Sequence, residues 1–139
     1  MTISSADAVW QGSLKEGRGK VHLHSKTFEG EYTFASRFET GKGTNPEELV
    51  AAAHAACYSM QLSGLLTAAG KPPKRINTTA KVEIIAGKGI TSIALETSAE
   101  VPGIDEAAFL EAAEKAREIC PVSQALKAVG NITLKAHLQ

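Results

Sequence analysis

Alternation of apolar and polar positions marks both ends of this chain, and its loss marks the middle. Residues 8–14 (Ala-Val-Trp-Gln-Gly-Ser-Leu) and 18–25 (Arg-Gly-Lys-Val-His-Leu-His-Ser) read as two short strands with Glu16-Gly17 turning between them. In the second, Val21 and Leu23 alternate with Lys20, His22 and His24, the period of a half-buried strand. A third strand is predicted at 30–38, with Tyr32, Phe34 and Ser36 on one face and Glu31, Thr33, Ala35 and Arg37 on the other. Thr40-Gly41-Lys42-Gly43 then forms a loop.

From Thr44 to Gly70 the period changes, and a long helix is predicted. Asn45 can cap the first turn, Pro46 suits the first helical position, and Thr44 with Glu47 offers a capping box one residue earlier. Glu47 and Glu48 place carboxylates at the positive end of the dipole, and Gly70 followed by Lys71-Pro72-Pro73 stops the helix. Between Leu49 and Ala69 no residue carries a formal charge, and small residues occupy every face. Such a helix is buried all round or lies in lipid. His54, Ser59, Gln61, Ser63 and Thr67 spread polarity through it, and it has neither aromatic belts nor a one-sided basic flank. A core helix is therefore expected, and no membrane span.

Strand signals return at 76–85 and 90–101, with Gly87-Lys88-Gly89 turning the chain between them. Asp105 caps a second helix whose stripe is Phe109, Ala112, Ala113, Ala116 and Ile119. Cys120-Pro121 interrupts it, Pro121 begins a short helix to about Val129, and 131–138 is a last strand. The order β-β-β-α-β-β-α-α-β, with strands arriving in pairs, predicts one α+β domain over residues 1–139, with antiparallel sheets around a central buried helix. One small sheet cannot cover that helix, so either the second helix or a second subunit must cover its back, and a homodimer with the helix near a shared core is expected.

Composition narrows the partners. Lys plus Arg equals Asp plus Glu, so the net charge is zero, which argues against a general nucleic-acid or anionic-membrane binder. The amino terminus lacks a basic segment followed by an apolar one, so no signal peptide is expected, and the cytoplasm is the expected compartment. Two cysteines in that setting are reduced thiols with packing, catalytic or redox roles rather than a permanent clasp. Four scattered histidines and two cysteines form no metal-ligand spacing, so no metal or cofactor is expected.

Cys57 stands in the middle of the long helix, where a thiol is either a small core hydrophobe or a nucleophile in need of a neighbouring cation. His54 lies three residues back on the same face, as a core histidine or a partner. Cys120 is expected to cap the short helix, with its sulfur facing unpaired amides.

Arg37-Phe38-Glu39, Gly43-Thr44-Asn45-Pro46-Glu47-Glu48-Leu49, Ala52-Ala53-His54-Ala55-Ala56-Cys57 and Cys120-Pro121-Val122-Ser123-Gln124-Ala125-Leu126-Lys127 together resemble the osmotically inducible protein C (OsmC) and organic hydroperoxide resistance family, most closely its OsmC branch. The resemblance runs from Trp10-Gln11-Gly12 to the last strand. It implies an intertwined homodimer acting as a thiol-dependent peroxidase on organic hydroperoxides and, less well, hydrogen peroxide. By the same resemblance Cys57 is the peroxidatic thiol, Cys120 the resolving one, Glu47 the acidic partner of an arginine, and Arg37 that arginine. Arg18, between two glycines, is the alternative arginine, and Arg37 is favoured because Arg18 reads as an exposed turn-edge charge. A dithiol, with lipoyl-type compounds as one class, is the implied reductant.

Glu47 and Cys57 lie ten residues apart, about 15 Å along one helix and roughly 80° off face. The site is therefore expected to be shared across the dimer. Phe38, Tyr58, Met60 and Leu62 are candidate walls for an alkyl substrate, or core residues. Two further readings remain at this level: a redox sensor that uses the same disulfide as a switch, and a binding module in which both cysteines merely pack.

Overall fold

The computed structural model describes residues 1–139, and the chain divides into two units, Met1–Leu49 and Val50–Gln139. In the first, β1 (Ala6–Gln11), β2 (Arg18–Leu23) and β3 (Glu29–Thr33) form an antiparallel sheet in that order. Gly19 of β2 stands opposite both Trp10 and Tyr32, whose rings lie 5.4 Å apart. A Cβ at Gly19 would come within 2.4 Å of the Tyr32 ring and 2.8 Å of the Trp10 ring, so only glycine lets the two aromatics meet there.

The strand expected over 30–38 stops at Thr33. Residues Phe34–Phe38 are instead a single helical turn, α1. Thr33 Oγ1 accepts from the Ser36 amide at 3.0 Å, and Ser36 Oγ accepts from the Thr33 amide at 2.9 Å, a reciprocal capping box. Two short hydroxyl side chains satisfy the amides that a strand would have left to a neighbour, so the chain turns. Ser36 Oγ also donates to the Thr44 carbonyl at 2.8 Å, which ties the loop to α1.

The long helix α2 is continuous from Pro46 to Ala68. Asn45 is its cap, accepting from the Glu48 amide at 2.8 Å, while Thr44 Oγ1 donates to Glu48 Oε2 at 2.6 Å. Gly70, at φ +73°, ends it as expected, with the Lys71 amide donating to the Leu66 carbonyl at 2.9 Å.

In the second unit β4 (Arg75–Ile85) and β5 (Gly89–Glu100) form the expected hairpin, and β6 (Ile132–Leu138) lies beside β5. That last pairing is parallel, with Ile93 opposite Ile132 and Ala99 opposite Leu138, so this sheet is not wholly antiparallel. The reason lies in the connection. A tight turn returns a strand antiparallel, whereas β6 follows a helical crossover, α3 (Glu106–Ile119) and α4 (Pro121–Ala125). α4 is shorter than the helix expected to about Val129. Its ladder tightens after the Leu126 amide bonds to Val122, since the Lys127 amide reaches only three residues back, to Gln124.

The core of this unit joins Tyr58, Leu62 and Leu66 of α2 to Leu95 and Ala99 of β5 and to Phe109, Ala113 and Ala116 of α3. His54, Tyr58, Leu62 and Leu66 recur every four residues as the buried stripe of α2. Tyr58 donates its hydroxyl to the Ala113 carbonyl at 3.0 Å, and Ser59 donates to Thr78 of β4 at 2.8 Å. The opposite face is open in a single chain: Ala52, Ala53, Ala56 and Gly64 are exposed, and Met60 is 77% exposed. α2 is long and apolar enough by length and composition to cross a bilayer. Three of its polar side chains, those of His54, Tyr58 and Ser59, however, bond to neighbouring elements of the second unit.

Candidate active site

In the second unit two segments far apart in sequence meet at sulfur. Cys57 is on α2, half-buried, and Cys120 is fully buried at the junction where α3 ends and α4 begins. Both are free thiols, and the Cys120 thiol and the Val122 backbone amide are near enough to act on the Cys57 thiol, in opposite directions. Cys120 was expected to cap α4 with its sulfur. It makes no capping hydrogen bond, because its side chain turns into the core beside Tyr58 and Ala116.

Burial pushes the Cys57 thiol above its ordinary pKa, the Val122 amide pulls it back in part, and the Cys120 thiol pushes it up again. Nothing in this unit supplies a cation to the sulfur. His54, fully buried one turn before Cys57, bonds through Nε2 to Ser123 Oγ at 2.7 Å, and burial lowers its pKa. It is thus held neutral and does not serve as the activating charge.

A second cluster forms in the first unit. The turn α1 aims Arg37 at the opening turn of α2, where Glu47 is buried at 7% exposure. Arg37 Nη2 donates to Glu47 Oε1 at 2.7 Å, and Nε lies 3.2 Å from both carboxylate oxygens, a forked pair that fixes the guanidinium plane. The guanidinium also lies 5.1 Å from the centre of the Phe38 ring. Hydrogen bonding to Glu47 raises the Arg37 pKa further, so its charge is permanent. Arg18, the alternative arginine, is exposed on β2 opposite Gln11 and Thr33 and has no carboxylate partner.

Beside Arg37 opens a mainly apolar pocket of about 230 Å³, lined by Trp10, Leu14, Tyr32, Thr33, Phe34, Phe38 and Pro46. Of the four candidate substrate walls only Phe38 lines it. Tyr58 and Leu62 are fully buried in the core, and Met60 is on the open face of α2. The aromatic walls were missed because Trp10 and Tyr32 read as ordinary strand positions, and Phe34 falls just past the end of the strand expected to contain it. The Val122 amide and the His54–Ser123 bond were missed as well. A backbone donor leaves no trace in composition, and the two side chains are 69 residues apart.

Comparison with known proteins places the whole chain among one group of relatives. A family model for OsmC-like proteins matches residues 39–135. Peroxiredoxin OsmC of Escherichia coli (strain K12) is 49% identical over 100% of this chain and 99% of its own length. An organic hydroperoxide resistance protein of Xanthomonas axonopodis pv. citri is 34% identical over 68% of this chain and 67% of its own length. Among solved structures, an OsmC-like protein of Mycoplasma pneumoniae shares the fold at TM-score 0.76 and 18% identity, over 99% of this chain and 97% of that one. An organic hydroperoxide resistance protein of Elizabethkingia anophelis, solved with thiocyanate bound, matches at TM-score 0.67 and 27% identity over 99% of this chain and 97% of that one. With the family model covering most of its length and a near-full-length relative at almost half identity, this chain belongs to the OsmC family.

Proposed function

We propose that this OsmC-family chain, a cysteine-based peroxidase, reduces organic hydroperoxides to alcohols, and hydrogen peroxide less well. The observation that carries the reading is the pair of free thiols, Cys57 and Cys120, brought within reach of each other from distant segments. The Cys57 thiolate attacks the distal peroxide oxygen, the O–O bond breaks, and the leaving alkoxide takes a proton; Cys57 becomes a sulfenic acid. The Cys120 thiol then displaces water from that sulfenic acid to form a disulfide. A dithiol outside the protein, of which lipoyl-type compounds are one class, restores both thiols and is itself oxidised to a disulfide. The cytoplasm, where dithiol pools stay reduced, suits that last step.

Arg37 is the cation for this chemistry: it keeps the thiolate ionised and stabilises the charge growing on the alkoxide, while Glu47 holds its fork in place. The two halves meet in a homodimer, Arg37 and Glu47 of one copy facing Cys57 of the other. Three observations support this: the ten-residue spacing of Glu47 and Cys57 on a continuous helix, the open face of α2, and a Cys57 thiol with no cation in its own unit. The aromatic pocket beside Arg37 suits the alkyl part of the substrate, with the peroxide oxygens toward the guanidinium.

The test is steady-state turnover of tert-butyl hydroperoxide and of hydrogen peroxide, with dihydrolipoamide compared against dithiothreitol. Turnover with preference for the alkyl peroxide, abolished in Cys57→Ser, is expected. A reduced protein whose two thiols both remain titratable after a small excess of alkyl peroxide overturns the reading.

A further inference from the structure

The chemistry above leaves one buried polar pair unused. His54 precedes Cys57 by three residues on α2, and Ser123 follows Cys120 by three residues in α4. Their side chains bond at 2.7 Å with His54 fully buried and Ser123 6% exposed, and His54 Nδ1 has no partner at all. Burying an imidazole and a hydroxyl costs desolvation on both sides, and the orphaned ring nitrogen adds to it. An apolar pair of similar volume would pack there without that penalty. The two contacts 54 to 123 and 57 to 120 are equally spaced along both segments and run in opposite senses.

We propose that the His54–Ser123 hydrogen bond clamps α4 onto α2 so that the Cys120 sulfur stays aligned with Cys57, making His54 and Ser123 positioning residues for disulfide formation. The proposal rests on the peroxidase reading. A helix of five residues does not persist by its own hydrogen bonds, so its placement must come from such contacts. Val122 packs against the core and Gln124 donates to the Glu118 carbonyl, which hold α4 from its α3 side; the His54 bond is the side-chain hydrogen bond that ties it to α2, one turn from the sulfurs. That bond is needed most after the peroxide step, when Cys57 carries an added oxygen. In the resolving reaction Cys57–S–OH and Cys120–SH give Cys57–S–S–Cys120 and water. The Cys120 sulfur must approach to bonding distance along the S–O axis, about 2 Å from Cys57 sulfur. The peroxide step asks of α4 only the partial pull of the Val122 amide, so loss of the clamp slows the second step far more than the first.

The experiment is a single turnover of the reduced full chain with one equivalent of tert-butyl hydroperoxide. It is quenched at intervals with a thiol alkylator and a sulfenic-acid-trapping dione, and read by intact mass. Ser123→Ala and His54→Leu are expected to lose the Cys57 thiol within about threefold of the wild-type rate but to form the disulfide about tenfold or more slowly, the scale expected of ångström-level misplacement. Trapped sulfenic acid, and sulfinic acid at excess peroxide, accumulate accordingly. Ser123→Thr and His54→Gln, which keep a polar group at each end, restore the wild-type ratio of the two rates. A merely structural role lowers the melting temperature and leaves that ratio unchanged, and this result in Ser123→Ala alone overturns the clamp. Wild-type protein that forms no disulfide overturns the peroxidase reading and the clamp with it. Wild-type protein that does, with matching variants, overturns the clamp only.

Discussion

Cys57 is pulled in opposite directions by its surroundings: burial and the neighbouring thiol keep its proton on, and a single amide favours its loss. On the proposed reading a peroxidatic thiol in that balance depends on a cation from elsewhere, and that reading predicts that removing Arg37 is felt at the sulfur. Arg37→Met is expected to raise the midpoint of the pH profile for Cys57 alkylation, measured in Cys120→Ser background, and to lower kcat/KM for an alkyl hydroperoxide by about 10²-fold or more. Glu47→Gln, which keeps a neutral acceptor, should fall between that variant and wild type. His54 carries a pH signature of the opposite sign. Its folded pKa is depressed by burial, so its contribution is intact above the ordinary histidine pKa of about 6.5 and is lost as pH falls through the folded value. Thermal unfolding between pH 7 and 5 should show the wild-type midpoint falling faster than that of His54→Gln. The difference approaches a slope of about 1.4 kcal/mol per pH unit at most. The proposed site residues Cys57, Cys120, Arg37 and Glu47 were named in the sequence because four short motifs resembling one family carry them; of these the structure pairs Arg37 with Glu47 directly. Ser123 stood inside one of those motifs with no sign that it faced His54, since a hydrogen bond between distant positions leaves no periodicity to read.

Among the elements, α2 was the most legible, because a capping asparagine, a first-turn proline and a terminal glycine punctuate it independently of packing. Its buried stripe was less so. A run of small residues carries almost no directional signal, and it is α3, β4 and β5 that select the face holding Tyr58, Leu62 and Leu66. Leu62→Ala is expected to destabilise the protein by about 2–5 kcal/mol in denaturant unfolding, as for a well-packed core leucine. The 30–38 segment was misread for the converse reason. Its alternation is real, but the reciprocal bonds of Thr33 and Ser36 override it. That single turn is what aims Arg37 at Glu47. Thr33→Ala, which costs about 1 kcal/mol as a lost cap, should therefore lower peroxidase kcat/KM while leaving the disulfide-forming step at the wild-type rate. Single-turnover quenching separates the two.

For the molecule as a whole, the open face of α2 and a Cys57 thiol with no cation in its own unit both lead to the dimer proposed above. Light scattering should return twice the chain mass of 14.6 kDa. Met60→Glu, a charge placed on that face, should shift the protein toward monomer and reduce turnover together. The strand pairing shows what a one-dimensional pattern withholds: the sequence marks β6 clearly, but its parallel partner becomes known only when the helical crossover before it is traced. That same crossover carries Cys120 between α3 and α4, so a bond from Cys57 to Cys120 would staple the midpoint of α2 to it and close a ring through β4, β5 and α3. Closing a ring of roughly 60 residues removes unfolded-state entropy worth about 4 kcal/mol in the chain-entropy model. The oxidised resting form should accordingly melt several degrees above the reduced one. By the same cycle, the folded scaffold makes its own crosslink harder to cut than a free one, so heat tolerance becomes a gauge of how far reductant supply lags behind peroxide load.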